Sequence, residues 1–250
     1  MAQMPTVIEM LQAGVHFGHK TSKRYPKMEP NIFGVRNGIH ILDLDKTQKA
    51  LAEVSAHCQE LAKKNGVILF VGTKSQAKEI VKSAAQRASM PYVTTRWIGG
   101  TLTNFTVISR MIKKFKKLKS EQASGELEKY TKKEQLEITR EIEEMNEILG
   151  GIESLTKKPD AIYIVDIKKE RTALKEARKS KVPVIAPCDT NCNPELVEHC
   201  IPANDDARKS IELITNVIAD AIIAGKAASE LVAPLPQVTA AATTTLAIPV

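Results

Sequence analysis

The sequence lacks the features that define several large classes of protein. No apolar run approaches the roughly 18 residues of a membrane-spanning helix, and Glu9 lies near the start without a basic segment before it. Four cysteines among 250 residues are too few for a disulfide framework, and Cys58 lies in a helical pattern that is typical of a buried thiol. We therefore expect a soluble protein of the cytosol or an equivalent compartment, with no membrane span.

The motifs of nucleotide-binding and hydrolytic enzymes are also missing. No G-x-G-x-x-G follows a predicted strand, and no nucleophile lies in a G-x-S-x-G turn. The segment after the apolar run 67–71 ends in Lys74-Ser75 like a phosphate-binding loop, but it lacks the spacing between glycines that such a loop needs. A nucleotide-dependent enzyme is the competing interpretation, and we expect no catalytic residue and no cofactor. Lys74, at a predicted helix N-terminus, is a candidate contact for an anion.

The order of apolar segments is typical of an α/β protein. A short helix over 4–13 precedes a hairpin of 32–35 with 39–42, which turns at Asn37-Gly38. Strands are then predicted at 67–71, 92–95, 161–165, 182–186 and near Ile201, alternating with helices at 46–64, 76–88, 169–179 and 205–224. This alternation predicts a doubly wound parallel sheet with right-handed crossovers.

A long segment separates the strands predicted at 92–95 and 161–165. It has about 65 residues, more than an ordinary crossover needs. Apolar residues recur there every three or four positions, first at Phe105, Ile108, Ile112 and Phe115 and then at Ile138, Ile142, Met145 and Leu149. We predict an inserted α-helical coiled-coil hairpin. The expected division is an N-terminal helix and basic arm (1–30), a sheet domain (31–104 and 156–226), the hairpin (105–155) and a disordered tail (227–250).

Positive charge is concentrated in one part of the chain. The net charge is +7, and residues 96–119 alone contain seven Lys or Arg and no acid, whereas 121–149 contain nine Glu against four Lys or Arg. Pairing between the two arms is one interpretation, and a surface for a polyanion is the other. The basic run begins with Arg96–Phe105, which holds the only tryptophan beside two glycines and several hydroxyls. The glycines allow the backbone to come close to another surface, and the hydroxyls can contact phosphate and sugar. A tight turn around a half-buried Trp97 is the simpler alternative.

Two groups of residues could in principle bind a metal. Cys188, Cys192, His199 and Cys200 lie within thirteen residues, but adjacent His199 and Cys200 point to opposite faces of a strand. Alternatively, His16 or His19 could meet Asp189 or Asp205 at the carboxyl edge of the sheet. The more common roles of these residues are hydrogen bonding and helix capping. We therefore predict no metal.

Several blocks of the sequence resemble one family in the right order across roughly residues 5–226. They are the segments 11–19, 27–33, 38–44, 71–74, 96–105, 158–160, 189–192 and 201–207, which read LQAGVHFGH, KMEPNIF, GIHILDL, VGTK, RWIGGTLTNF, KPD, DTNC and IPANDDA. These blocks are similar to the second protein of the small ribosomal subunit, of bacterial or organellar type. The resemblance implies a flavodoxin-like sheet with a protruding coiled-coil hairpin, and no enzymatic activity. Cysteine at 188 or 200 is not part of the family pattern.

The resemblance also implies partners and a location. The partners are small-subunit rRNA near the junction of head and body, and neighbouring proteins that include the large mRNA-binding first protein, with no membrane and no homo-oligomer. The location is the cytoplasm, or the matrix or stroma of an organelle. The N-terminal arm and the 96–104 block with its adjacent helix are the implied rRNA contacts, and the charge argument places the polyanion at the same block. The expected contacts are His16, His19, Lys20, Lys23, Arg24, Lys27, Arg36, Lys74, Arg96, Trp97, Thr101, Thr103, Asn104, Arg110, Lys113, Lys114 and Lys117. For Trp97 we favour packing under the glycine turn over stacking on a base.

Overall fold

The N-terminal part folds into a helix and a small antiparallel sheet. The computed structural model describes residues 4–232, apart from the side chains of residues 128 and 230–232. Helix α1 (Val7–Gln12) begins at Thr6, which forms a capping box with Glu9. Strands β1 (Phe17–Lys20), β2 (Ile32–Arg36) and β3 (Ile39–Leu42) form a three-stranded sheet in the order β1-β3-β2.

The predicted hairpin is confirmed, and the basic arm before it contains a strand that the sequence analysis does not predict. Asn37 and Gly38 have φ values of 50° and 73°, which are the positive values that a tight turn between β2 and β3 requires. The arm itself contains β1, which pairs with β3 and so fixes the arm to the hairpin.

A five-stranded parallel sheet forms the centre of the molecule. Its strands are β4 (Ile68–Val71), β5 (Tyr92–Val93), β6 (Ala161–Ile164), β7 (Val184–Cys188) and β8 (His199–Pro202), in the order β5-β4-β6-β7-β8. Numbered from β4, this order is 2-1-3-4-5, which is the flavodoxin order. Every residue of β4, β6 and β7 is buried, because helices cover both faces of the sheet. The predicted α/β fold class is confirmed.

The covering helices separate into two layers. They are α2 (Leu44–Lys63), α3 (Lys78–Arg87), α4 (Phe105–Ala123), α5 (Lys132–Leu149), α6 (Arg171–Lys179) and α7 (Arg208–Val232). Apolar side chains of α2, α3 and α7 form one core with alternate residues of the strands, such as Phe70 and Tyr163. Those of α4, α5 and α6 form the other core with the intervening residues, such as Leu69 and Ile162. None of the described helices is both long and apolar enough to cross a membrane.

Helix α7 is longer than its sequence pattern predicts. The prediction ends it at Ala224, but it continues to Val232. Residues 227–232, which we expected to begin a disordered tail, are therefore helical. The rest of the predicted tail, 233–250, lies outside the described residues.

Helices α4 and α5 occupy the long segment between β5 and β6. Their buried positions are those of the two predicted apolar repeats: Ile108, Ile112 and Phe115 on α4, and Ile142 and Leu149 on α5. Both repeats belong to a single apolar cluster with the adjacent face of the sheet. Ion pairs join Lys114 to Glu141 and Lys119 to Glu153. The knobs-into-holes packing of a coiled coil and the division into domains stay predictions.

Candidate nucleic-acid interface

The loop that contains the only tryptophan is wrapped around a buried carboxylate. Glu176 of α6 is 9% exposed. One of its oxygens accepts hydrogen bonds from the indole Nε1 of Trp97 (3.2 Å) and the backbone N–H of Gly100 (2.8 Å). The other accepts from the backbone N–H groups of Leu102 (3.1 Å) and Thr103 (3.3 Å), and from the Thr103 hydroxyl. Because Gly100 has a φ of 96°, it can aim its N–H at the carboxylate without strain.

These hydrogen bonds keep Glu176 charged. Burial alone would raise the pKa of Glu176, but the bonds from Gly100, Leu102 and Trp97 outweigh it and hold the pKa below its ordinary value. The fixed negative charge in turn orders the loop between Trp97 and Thr103, which we call the tryptophan loop. Sequence reasoning missed Glu176. Its position on the same helical face as the buried Ala173 and Ala177 is the pattern that would have indicated a buried acid.

The tryptophan loop divides the predicted contacts into buried and exposed side chains. Trp97 is 7% exposed and donates to Glu176, so it packs in the protein, as we favoured, and does not stack on a base. Thr101 is also buried, and its hydroxyl donates to the carbonyl of Ile98. Neither side chain faces solvent, which disfavours the expected contact of Trp97 and Thr101 with RNA; that contact stays a prediction. Arg96, Thr103 and Asn104 lie on the exposed side of the loop.

Helix α4 begins directly after this loop and carries basic residues opposite its buried stripe. At about 100° per residue, Arg110, Lys113 and Lys117 lie on the face turned away from Ile108 and Ile112. Arg110 and Lys113 form no ion pair with any described residue, and Lys117 lies 3.6 Å from exposed Glu121. Lys114 flanks this face and pairs with Glu141. Pairing between α4 and the acidic second helix therefore uses Lys114 and leaves Arg110 and Lys113 available.

The N-terminal arm lies against the carboxyl edge of the parallel sheet. The backbone N–H of Tyr25 donates to the carbonyl of Thr190 (2.8 Å), and Lys27 pairs with Glu195. Arg24 pairs with Glu29 at 3.2 Å. The exposed cations Lys20, Lys23 and Arg36 form no ion pair within the described chain.

The two predicted histidine contacts face inward. The Nδ1 atom of His19 lies 2.8 Å from the buried carboxylate of Asp189, whose hydrogen bond raises the pKa of His19. The ring of His16 stacks on Phe17 with centroids 4.0 Å apart, and its buried Nδ1 has no hydrogen-bond partner among the described atoms. Burial lowers the pKa of His16.

Lys74 lies in the crevice where a flavodoxin-like sheet would bind a ligand. That crevice opens between the carboxyl ends of β4 and β6, where the strand order reverses. Lys74 is 8% exposed, and its Nζ lies 3.0 Å from Asp166, 2.6 Å from Asp206 and 3.5 Å from Asp205. Burial opposes the charge of Lys74, but these three carboxylates outweigh it and raise its pKa. The expected contact of Lys74 with an external anion stays a prediction, and the carboxylates that pair with Lys74 in the protein disfavour it.

A second group at the same edge could hold a divalent cation. His19, Asp189 and Asp206 offer ligand atoms that all lie within 4.8 Å of one another. Imidazole and carboxylate are suitable ligands for several divalent metals. Of the residues proposed from the sequence, His19 and Asp189 belong to this group, whereas His16 does not and Asp206 takes the place of Asp205.

The zinc hypothesis for the cysteines gains no geometric support. Among the described residues, Cys188, Cys192, His199 and Cys200 do not form a group with metal-binding distances. The ring of His199 lies against that of His57, with centroids 4.2 Å apart. The Cys192 thiol donates to the carbonyl of Asp189 at 2.9 Å.

The fold and this interface define a class of protein. A flavodoxin-like sheet with one of its own lysines in the ligand crevice, and with outward basic residues on helix α4, defines an α/β protein with a basic surface. The chain belongs to the ribosomal protein S2 family, because the family model described as Ribosomal protein S2 matches residues 10–225. A relative from Coprothermobacter proteolyticus, named small ribosomal subunit protein uS2, is 47% identical over 221 residues. The match covers 88% of this chain and 82% of the relative.

Proposed function

We propose that this chain is a structural component of the small ribosomal subunit that binds rRNA through exposed cations beside its tryptophan loop, on helix α4, in its N-terminal arm and at the end of β2. Membership of the ribosomal protein S2 family supports the ribosomal role. The observation that carries the rRNA contact is the face of α4 on which Arg110 and Lys113 have no acidic partner among the described residues. The site of action is the ribosome, in the cytoplasm of a bacterium or in the corresponding compartment of an organelle.

The proposed surface is smaller than the set expected from the sequence. It consists of exposed residues that form no ion pair in the described structure, except that Lys117 lies 3.6 Å from Glu121, so that little is lost when they bind phosphate. These residues are Lys20, Lys23, Arg36, Arg96, Thr103, Asn104, Arg110, Lys113 and Lys117. Arginine and lysine would hold phosphates, and Thr103 and Asn104 would reach 2′-hydroxyls, which are the contacts that dominate recognition of folded RNA.

The chain also carries a surface suited to a protein neighbour, such as the large mRNA-binding first protein of the subunit. Phe33, Val35 and Phe17 of the three-stranded sheet are 80%, 56% and 47% exposed. Exposed apolar groups of this size are typical of protein contacts rather than of RNA phosphate contacts. We therefore assign docking of a protein to this sheet and rRNA binding to the basic surface.

The rRNA contact is tested by changing Arg96, Arg110 and Lys113 together to alanine. We expect weaker association with small-subunit rRNA and a salt dependence reduced by about 0.7–0.9 log-log units for each phosphate that is no longer neutralised. The measurement is the equilibrium binding constant over a series of salt concentrations. A matched control changes Lys49, Lys82 and Lys209, which are exposed lysines without an ion pair in the described structure. An equal reduction of slope in both variants would reject the assignment.

Two further measurements separate the competing functions. Labelled NAD or ATP should not bind, because the carboxylates of Asp166 and Asp206 around Lys74 would repel a nucleotide phosphate in the crevice. If the chain were purely a protein-docking module, its retention on small subunits would survive nuclease treatment of the rRNA. The docking surface is tested with Phe33→Ser, which should reduce retention of the first protein on assembled subunits while rRNA binding stays unchanged.

A further inference from the structure

Helix α6 and the turn before it carry a second basic surface, outside the residues discussed so far. Between residues 166 and 181 there are seven Lys or Arg and three acids. All seven basic side chains are exposed. The sequence pattern alone suggests an ordinary helix of mixed charge.

The three acids of this segment face inward and do not neutralise the surface. Asp166 pairs with Lys74 and accepts from the backbone N–H groups of two following residues. Glu170 is 5% exposed and accepts from the backbone N–H of Thr73 at 3.0 Å. Glu176 holds the tryptophan loop. The solvent-facing charge of this segment is therefore entirely positive.

The basic residues border a cleft. Arg171, Lys175 and Arg178 lie at i, i+4 and i+7 on α6 and so share one face of the helix, with Lys168 just before it. Together with Tyr25 and Leu174 they line a cavity of about 440 Å³. We call it the α6 cleft. None of its four cations forms an ion pair among the residues described, and no Asp or Glu is among the residues that line the cavity.

Helix stability accounts for Arg178 and Lys179 in the last turn of α6, but not for the cations at its start. The first turn of α6 contains no acid and carries Arg171, with Lys168 and Lys169 immediately before it. Cations at the N-terminus of a helix oppose the helix dipole and destabilise the helix. A cluster of cations at the wrong end of a helix, beside an aromatic ring and an apolar floor, suits binding of a ligand that supplies both negative charge and a flat apolar face.

We propose that the α6 cleft binds an unpaired segment of small-subunit rRNA, with a base against Tyr25 and Leu174 and its flanking phosphates on Arg171, Lys175 and Arg178. Single-stranded nucleic acid is held by this combination of an aromatic platform and a positively charged groove. An acidic peptide would match the charge but would not use the aromatic wall. The proposal rests on the ribosomal function proposed above, but it concerns a different face of the molecule.

The first experiment measures binding of the full chain to a short labelled oligouridine and to an RNA duplex of equal length. The change Arg171→Gln with Lys175→Gln should reduce the salt dependence of oligouridine binding by about 1.4 log-log units, since each phosphate contact to a single strand contributes about 0.7. A matched control, Lys82→Gln with Lys179→Gln, removes the same charge from exposed positions outside the cleft and should leave the slope unchanged.

A second variant tests the aromatic wall independently of charge. Tyr25→Leu should weaken oligouridine binding by about 5- to 150-fold at an unchanged salt slope, because removal of base stacking does not release counterions. The main contact of Tyr25 is through its backbone N–H, which the substitution retains, so the arm should stay in place. Unchanged affinity of Tyr25→Leu, or equal slopes in the two double variants, would each overturn the proposal.

The source of the RNA is tested in the assembled subunit. Ultraviolet crosslinking of purified small subunits, followed by mass spectrometry, should attach an rRNA nucleotide to the peptide containing Tyr25 when no mRNA is present. A crosslink that forms only after mRNA is added, or a cleft covered by a neighbouring protein, would overturn the proposal. If the cleft variants bind normally while the Arg96, Arg110 and Lys113 variant does not, the cleft proposal fails and the proposed function stands.

Discussion

The most direct test of the structure is to replace Glu176 with glutamine. This change keeps the length and shape of the side chain but replaces one carboxylate oxygen by an amide nitrogen, which cannot accept hydrogen bonds. One oxygen of Glu176 accepts hydrogen bonds from Trp97 and Gly100, and the other accepts them from Leu102 and Thr103. Whichever way the amide turns, two N–H donors of the tryptophan loop are left without their acceptor.

The expected magnitude follows from the number of broken hydrogen bonds. A hydrogen bond to a charged group contributes about 1.5–3 kcal/mol, so two of them amount to about 3–6 kcal/mol of unfolding free energy. That is a large share of the roughly 5–15 kcal/mol that stabilises a typical domain. Glu79→Gln is the matched control, because Glu79 is exposed on α3 and a surface change of this kind costs within about 0.5 kcal/mol.

The pH dependence gives an independent check. The pKa of Glu176 is lowered in the folded state, so its stabilising contribution is fully present above the ordinary value of 4.5 and is lost as the pH falls through the folded pKa. The difference between the wild type and Glu176→Gln should therefore be largest near neutral pH and shrink in acid. Urea unfolding followed by circular dichroism at a series of pH values measures it. A Glu176→Gln effect no larger than that of Glu79→Gln, or one that is constant down to acid pH, would refute the reasoning.

Two further predictions concern buried small residues. Burial raises the pKa of Cys58 to about 12, whereas a hydrogen bond from Cys188 lowers the pKa of half-buried Cys200. Iodoacetamide should therefore alkylate Cys200 well before Cys58 in the native protein, as peptide mass spectrometry would show, and the reverse order would contradict the structure. Gly225→Ala should destabilise the protein by about 1–3 kcal/mol in thermal unfolding, although alanine favours a helix by about 1 kcal/mol. The reason is that the added Cβ would lie 2.4 Å from the carbonyl oxygen of Gln59 and 2.7 Å from the Cβ of Ala62. An increase in stability would show that α2 and α7 are less closely packed than described. The control is Ala227→Gly at an exposed site on α7, which should lower the stability only by the difference in helix propensity, about 1 kcal/mol.

The elements that the sequence predicts well are those with a local cause. The apolar run 67–71 between two glycines is strand β4 because an uninterrupted apolar segment can be stable only with both faces covered. The apolar repeats on α4 and α5 likewise predict which side chains of these helices are buried. The predicted end of α7 at Ala224 lies just before Gly225, and glycine is a poor helix former. In the structure Gly225 packs against α2, where an added Cβ would lie 2.4 Å from the carbonyl oxygen of Gln59, and the helix continues beyond it.

The candidate site was less predictable, because its partners lie far apart in the sequence. The sequence pattern correctly placed Lys74 beside a helix start, but its partner Asp166 is 92 residues away and the carbonyl of Asp205 is 131 residues away. No local sequence pattern reveals that Asp166 and Asp205 lie beside Lys74 in the crevice. The same holds for α6, whose acids and bases alternate along the chain but separate into inward and outward faces only when the helix packs.

The lysine in the crevice places a positive charge of the chain itself among the carboxylates at the edge of the sheet. In a flavodoxin-like protein with an open crevice, a bound cofactor stabilises the native state by an amount that depends on its free concentration. Lys74 is part of the chain and cannot dissociate, so its ion pairs with Asp166 and Asp206 at the carboxyl edge of the sheet form when the chain folds. The positive charge that pairs with Asp166 and Asp206 therefore does not vary with the concentration of a free ligand.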